Sequence, residues 1–161
     1  MRSCEKSALT HGRGQPTHFL EMLRKTAAVL EPTGVPAANL HLAIARTQQF
    51  HRELPEALRH VELGLAQVDE SDEVNAMLQS CASWLYLELG QAERCYDVAS
   101  KAIAQSERYG FSGALPALMN NAAAAQQQLR NWEQSAALYR RAIERAEHAK
   151  LPRRTLTFWC N

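Results

Sequence analysis

The chain has 161 residues, of which 46% are hydrophobic and 22% charged, a composition that fits one globular domain and excludes disorder throughout. Its 18 basic and 17 acidic side chains leave a formal net charge of +1, which lacks the positive excess of a general nucleic-acid binder. No apolar run approaches the roughly 18 residues of a membrane span, and Met1 to Gln15 lacks the apolar core of a secretory signal. We therefore expect a cytoplasmic protein with neither nucleic acid nor membrane as its partner.

The first predicted element is a helix that begins near Thr17 and stops before Pro32. Residues 1–16 are polar and interrupted by Gly12 and Gly14, so we expect a disordered or poorly ordered N-terminal segment there. Residues 17–161 are predicted to form one helical domain, because alanine and leucine are abundant while β-branched residues and glycine are sparse.

Six further helices follow in order, each bounded by proline, glycine or a short polar turn. They are predicted over residues 36–50, 55–68, 73–89, 91–109, 116–129 and 132–150. Pro152 is predicted to open an eighth helix, cut short at the end of the sequence. Strand-like alternation is not sustained anywhere, so the expected fold class is all-α.

Small side chains recur at matched positions in three successive helix pairs. Ala45, Ser83 and Ala123 lie in the first helices, 38 and 40 residues apart, and Ala57, Cys95 and Ser135 follow twelve residues later in each pair. The second helices continue the pattern with Val61, Ala99 and Tyr139, and then with Gly64, Ala102 and Ala142. Antiparallel helices approach closely only where side chains are small, so the pattern predicts a stack of about three helical hairpins with partial helices at both ends.

With these small residues, the aromatic Tyr139 and the turns at 89–92 and 129–133, the sequence resembles the tetratricopeptide repeat family over about residues 38 to 150. Two features depart from the family: its early tryptophan is replaced, and the period exceeds the usual length of about 34 residues. The replacements are His41, Gln79 and Met119. The longer period is similar to divergent bacterial repeats of about 40 residues inside multidomain signalling proteins. The resemblance implies an α-solenoid.

The resemblance also implies that the first helix of each pair lines a concave surface that binds a peptide or a helix. The outward residues would be Asn39, Leu42, Arg46, Gln49 and Phe50, then Met77, Ser80, Trp84, Leu87 and Glu88, then Ala117, Asn120, Ala124, Gln127 and Gln128. The expected binding residues among them are Arg46, Gln49, Phe50, Trp84, Glu88, Asn120 and Gln127. Side-chain amides suit a peptide backbone, and large aromatic rings suit an apolar anchor.

Each of these residues also has a purely structural interpretation. Trp84 can fill space between neighbouring hairpins, Arg46 can pair with a carboxylate such as Glu88, and the run Gln126–Gln128 can be a solvated helix face. Only Arg46 and Asn120 match the lysine, asparagine and arginine set with which the family's best-known groove clamps a terminal carboxylate. Recognition of chaperone tails is therefore not expected.

No arrangement of residues indicates catalysis, a metal or a cofactor. The six histidines form no H-E-x-x-H motif, and P-loop, G-x-G-x-x-G and G-x-S-x-G motifs are missing. The four cysteines, Cys4, Cys81, Cys95 and Cys160, form no C-x-x-C pair and are expected to be small buried thiols, although Cys81 and Cys95 could approach each other. We expect a protein that is not an enzyme.

Three functions remain open on the sequence alone. The leading one is a protein-interaction scaffold with a peptide or helix on its concave face. The alternative is a sensory or regulatory segment of a larger bacterial signalling protein, of the diguanylate cyclase or transcriptional regulator type. A third is self-association through the C-terminal end near Phe158 and Trp159.

Overall fold

The computed structural model describes residues 14–148, and that range contains seven α-helices and no strand. The helices are α1 (Gly14–Leu30), α2 (Gly34–Phe50), α3 (Leu54–Leu65), α4 (Glu73–Glu88), α5 (Ala92–Tyr109), α6 (Leu115–Gln128) and α7 (Trp132–His148). The all-α fold class predicted from the sequence is confirmed. Within these residues no helix is both long enough and apolar enough to cross a bilayer.

Most predicted helix boundaries agree with the structure to within two residues, but two do not. Helix α1 begins at Gly14, so the boundary predicted between residues 16 and 17 falls inside a helix. Helix α3 ends at Leu65, earlier than predicted, because the chain turns through Ala66 to Val68 before the acidic loop. The predicted eighth helix and most of the N-terminal segment lie outside the described residues.

The helices pack in sequence order, and alternate helices also meet. Helices α2 and α3, α4 and α5, and α6 and α7 form antiparallel pairs, and α2 contacts α4 while α4 contacts α6. Helix α1 packs mainly on α2, and among the described helices α7 packs mainly on α6. The face formed by α2, α4 and α6 is therefore the one on which the predicted binding residues lie.

The turns inside the three pairs have the same backbone geometry. Arg52, Gly90 and Arg130 each have a positive φ, of 64°, 71° and 64°. In each turn the following residue donates its N–H five residues back, as from Gln91 to the Tyr86 carbonyl at 2.8 Å. These are the hydrogen bonds of a Schellman motif, which satisfies the last carbonyls of the first helix and reverses the chain.

The small residues found in the sequence lie at the helix–helix contacts. Ala45, Ser83 and Ala123 are fully buried, and so are Ala57 and Cys95. The buried Ser135 hydroxyl donates to the Ala123 carbonyl at 2.9 Å, which joins the two positions of the third pair directly. Small side chains thus let the backbones of paired helices approach closely.

Two continuous apolar clusters fill the interior. One joins α2, α3 and α4 around Leu42, Val61 and Leu78, and the other joins α4 to α7 around Ile103 and Leu118. Helix α4 contributes to both clusters, so the core runs through the described helices without a break.

Candidate binding surface

The predicted binding residues occupy α2, α4 and α6 as expected, but they are not equally accessible. Arg46, Gln49 and Phe50 lie on the last turns of α2, while Trp84 and Glu88 lie on the C-terminal half of α4. The Gln49 side-chain oxygen accepts a weak bond from the Cys81 thiol at 3.6 Å, so α2 and α4 touch within this surface. We call the exposed parts of α2 and α4 from Arg46 to Phe50 and from Trp84 to Glu88 the α2–α4 surface.

Arg46 is exposed and forms no ion pair with any residue that the structure describes. Burial raises the pKa of the Cys81 thiol to about 11, and the Arg46 charge acts in the opposite direction, which places the guanidinium beside the α2–α4 contact. An unpaired guanidinium at the edge of an apolar contact is suited to bind a carboxylate or a backbone carbonyl.

Glu88 does not pair with Arg46, and that sequence-based interpretation is wrong. The Arg52 guanidinium donates from Nη1 to Glu88 Oε2 at 2.6 Å instead. Glu88 is the last residue of α4 and Arg52 lies in the turn after α2, so the ends of the two helices meet. Arg46 is farther back along α2. The pairing neutralises the carboxylate of Glu88, and sequence reasoning missed Arg52 because turn residues were not considered.

Two aromatic side chains border the α2–α4 surface. The Phe50 side chain is 75% exposed, and its ring meets the His51 ring edge-on at a centroid distance of 5.7 Å. Trp84 is partly buried against the apolar cluster of α2, α3 and α4. The indole therefore fills space between hairpins and also keeps part of its surface open, so both interpretations of Trp84 remain.

The predicted surface does not extend along the whole of α6. The ten consecutive residues from Ala114 to Ala123 are buried, and Asn120 is only 8% exposed. Ala117, also expected to face outward, is buried in the same stretch, as Leu42 is on α2. Helix α6 contacts α4, α5 and α7, and this encloses its N-terminal half on several sides.

Only the C-terminal end of α6 is exposed. Gln127 and Gln128 are exposed, and the Gln127 amide oxygen accepts a hydrogen bond from the Tyr139 hydroxyl at 3.3 Å. Gln126 is not the solvated residue that the glutamine run suggested, since it is buried and its amide oxygen accepts from Asn131 at 2.7 Å.

A buried polar contact between α4 and α6 was not found from the sequence. Asn121 donates from its amide to the Ser83 hydroxyl at 2.9 Å and to the Ser80 carbonyl at 3.1 Å. The Cys95 thiol in turn donates to the Asn121 carbonyl at 3.5 Å. Asparagine within an apolar, alanine-rich helix was the available signal, because a buried amide requires partners.

Two histidines meet across the α2–α3 pair, and sequence reasoning missed this contact too. The Nδ1 atoms of His41 and His60 are 3.0 Å apart, and the ring centroids are 5.3 Å apart. Both residues were noted individually, but their symmetric placement about the turn at Arg52 was not used. Burial and the neighbouring Arg59 charge lower the pKa of both rings, that of His60 to about 4.

The described residues hold no cluster of three or more histidine, cysteine or acidic side chains that could bind a metal ion. Cys81 and Cys95 are free and buried, and burial raises the pKa of the Cys95 thiol to about 12. Both are therefore protonated near neutral pH and unreactive as nucleophiles. Cys4 and Cys160 lie outside the described residues.

Comparisons with protein-family models, with curated proteins and with solved structures found no match to this chain. The resemblance to tetratricopeptide repeats consequently remains a prediction from the sequence.

Proposed function

We propose that the chain is a tetratricopeptide-like stack of helical hairpins that binds a peptide or a helix of a partner protein on the α2–α4 surface. The observation that carries this proposal is the combination of an unpaired Arg46 with the accessible rings of Phe50 and Trp84 along two helices in contact. The proposed role is binding and not catalysis.

Support for a repeat stack comes from the equivalence of the three helix pairs. Their turns share positive φ values at Arg52, Gly90 and Arg130, and buried small residues recur at matched offsets. In such a stack each pair rests on the next, and the first helices form one continuous face.

The chemistry of the surface indicates how a partner would bind. A large apolar side chain would insert beside Trp84 or Phe50, since aromatic anchors supply much of the free energy at protein interfaces. Arg46 would hold a carboxylate or carbonyl oxygen next to that anchor. Glu88 contributes little charge because Arg52 already neutralises it.

The test uses a displayed library of random peptides selected on the immobilised chain, followed by affinity measurements on single variants. We expect Trp84→Ala and Phe50→Ala each to weaken the selected peptides by about tenfold or more, which corresponds to about 1.4 kcal/mol. Arg46→Gln should weaken peptides that contain an acidic residue more than those that do not.

Leu63→Ala is the matched control, because Leu63 is an exposed apolar residue on α3 and away from the α2–α4 surface. If no peptide is selected, or if the three surface variants bind like the control, the α2–α4 surface is not the binding site.

A second function is favoured by the exposed apolar side chains at both ends of the described helices. Phe19, Val29 and Leu30 are exposed on α1, and Trp132 and Ile143 are exposed on α7. Such patches often contact further protein. This observation supports a regulatory segment that contacts other domains of a signalling protein, or self-association, and light scattering over a concentration series separates the two. The residues Phe158 and Trp159 named for self-association lie outside the described range.

A further inference from the structure

We propose that the contact between His41 and His60 is an acid-sensitive latch, which holds α2 against α3 at neutral pH and releases this hairpin as the pH falls. The inference goes beyond the proposed binding function and does not depend on it. It is based on the geometry of one buried imidazole pair and on its equivalents in the other two hairpins.

The hydrogen bonds identify the tautomers of the two rings. The Arg59 guanidinium can only donate, and its Nη2 lies 3.3 Å from His60 Nε2, so that nitrogen is an acceptor without a proton. The His60 proton is then on Nδ1 and is donated to His41 Nδ1, 3.0 Å away. His41 therefore carries its proton on Nε2. Both rings are neutral in this arrangement, and the inter-ring bond joins α2 to α3.

Protonation disturbs this arrangement at each step. A first proton requires an N–H on His60 Nε2, which then points at the Arg59 guanidinium, or two N–H groups that face each other between the rings. A second proton removes the acceptor from the inter-ring contact altogether. Two imidazolium rings at this distance also repel each other.

The charged groups around the pair oppose protonation. Arg59 on α3 and Arg24 on α1 both disfavour a positive charge on His60. Glu56 on α3 is the carboxylate that favours it, but Glu56 already pairs with Arg59 at 3.0 Å. From α4 the nearby side chain is the apolar Leu78, which packs beside Gly64 and His41. The site therefore offers no uncommitted carboxylate to stabilise an imidazolium.

The other two hairpins supply an internal comparison. At the positions that correspond to His41 and His60, the second pair has Gln79 and Val98, and the third pair has Met119 and Leu138. None of these side chains titrates. Acid should thus loosen the α2–α3 hairpin in particular, and not the molecule uniformly.

The sign follows from the lowered pKa values. A closed hairpin with depressed histidine pKa values resists protonation, whereas the open hairpin takes up protons near pH 6.5. The latch is complete above about pH 6.5 and is lost progressively as the pH falls toward about 4. Within that window the opening equilibrium rises by up to about tenfold per pH unit for each histidine.

The experiment measures backbone hydrogen exchange by mass spectrometry at pH 7 and pH 5, corrected for the intrinsic pH dependence of exchange. We expect α2 and α3 to lose protection at pH 5 while α6 and α7 keep theirs. The double variant His41→Met with His60→Leu places the pair of the third hairpin in the first, and it should keep its protection at both values. Unchanged protection of α2 and α3 in the original chain, or an equal loss in the variant, overturns the proposal.

A second measurement keeps the proposal testable if that variant fails to fold. Nitrogen-15 NMR of the histidine rings in the unmodified chain reports the tautomer and the titration of each ring. We expect His60 to carry its proton on Nδ1 and to stay neutral down to about pH 4. A His60 ring that titrates near 6.5, or that carries its proton on Nε2, contradicts the latch. His148→Gln is the control, because it removes an exposed histidine on α7 that lies outside the pair.

Discussion

At the scale of the single residue, Gly64 shows how closely α3 approaches its neighbours. A Cβ atom at this position would lie 2.9 Å from Leu78 Cδ2 and 3.2 Å from His41 Cβ. Leu78 is fully buried, and a Cβ atom can move only with its backbone, so neither neighbour has free room. The glycine therefore sets the distance between α2, α3 and α4.

Gly64→Ala should destabilise the fold although alanine is the better helix former. The gain in helix propensity is about 1 kcal/mol, whereas overpacking a rigid contact costs about 1–3 kcal/mol. We expect a net loss of about 1 kcal/mol in the free energy of unfolding, measured by urea denaturation. In the background of Leu78→Ala, which removes the nearest methyl groups, the same substitution should cost less or become favourable. Equal costs in both backgrounds would show that the contact with Leu78 is not the cause.

At the scale of the helix pair, the three turns form an internal series with one backbone conformation and two kinds of residue. Gly90 has a φ of 71° and no atom within 4 Å of an added Cβ, so only the backbone decides the cost of a side chain there. Arg52 and Arg130 adopt the same conformation at a φ of 64°, which is unfavourable for residues other than glycine.

Arg130→Gly should therefore stabilise the protein, and Gly90→Ala should destabilise it, each by about 1 kcal/mol in the free energy of unfolding. Thermal or urea unfolding measures both changes. Arg130→Ala is the control, because it removes the same side chain and keeps the backbone strain. If Arg130→Ala stabilises as much as Arg130→Gly, loss of the arginine charge and not relief of the turn is responsible.

The sequence was sufficient to predict the helices and their turns, because these depend on local signals such as apolar periodicity, proline and glycine. It was less informative about which side of each helix faces outward. One residue of helix rotation is about 100°, so Asn120 and Gln126 were placed on the open face although neighbouring helices bury them. The partner of Glu88 was missed for a related reason, since Arg52 reaches it from a turn. Contacts of this kind depend on packing between pairs.

At the scale of the whole molecule, the described helices differ in how many neighbours support them. Helix α4 contacts α2, α3, α5 and α6, whereas α1 packs mainly on α2. In a stack of this kind, stability arises from each pair and from its interfaces with adjacent pairs. The terminal helices have an interface on one side, and several large apolar side chains of α1, including Val29 and Leu30, remain exposed. Local opening should thus become easier from the centre toward the ends.

Native-state hydrogen exchange at neutral pH tests this gradient. We expect the slowest exchange in α4 and α6, intermediate exchange in α3 and α5, and the fastest in α1, since opening free energies fall where buried contacts are few. Leu85→Ala, which removes a fully buried side chain in the cluster around α4, should cost about 2–5 kcal/mol and raise exchange in the hairpins on both sides. Leu23→Ala in α1, where the side chain is only partly buried, should raise exchange in α1 and α2 alone. If both variants raised exchange equally in every helix, the chain would unfold as one cooperative unit, and packing between neighbouring pairs would not determine local stability.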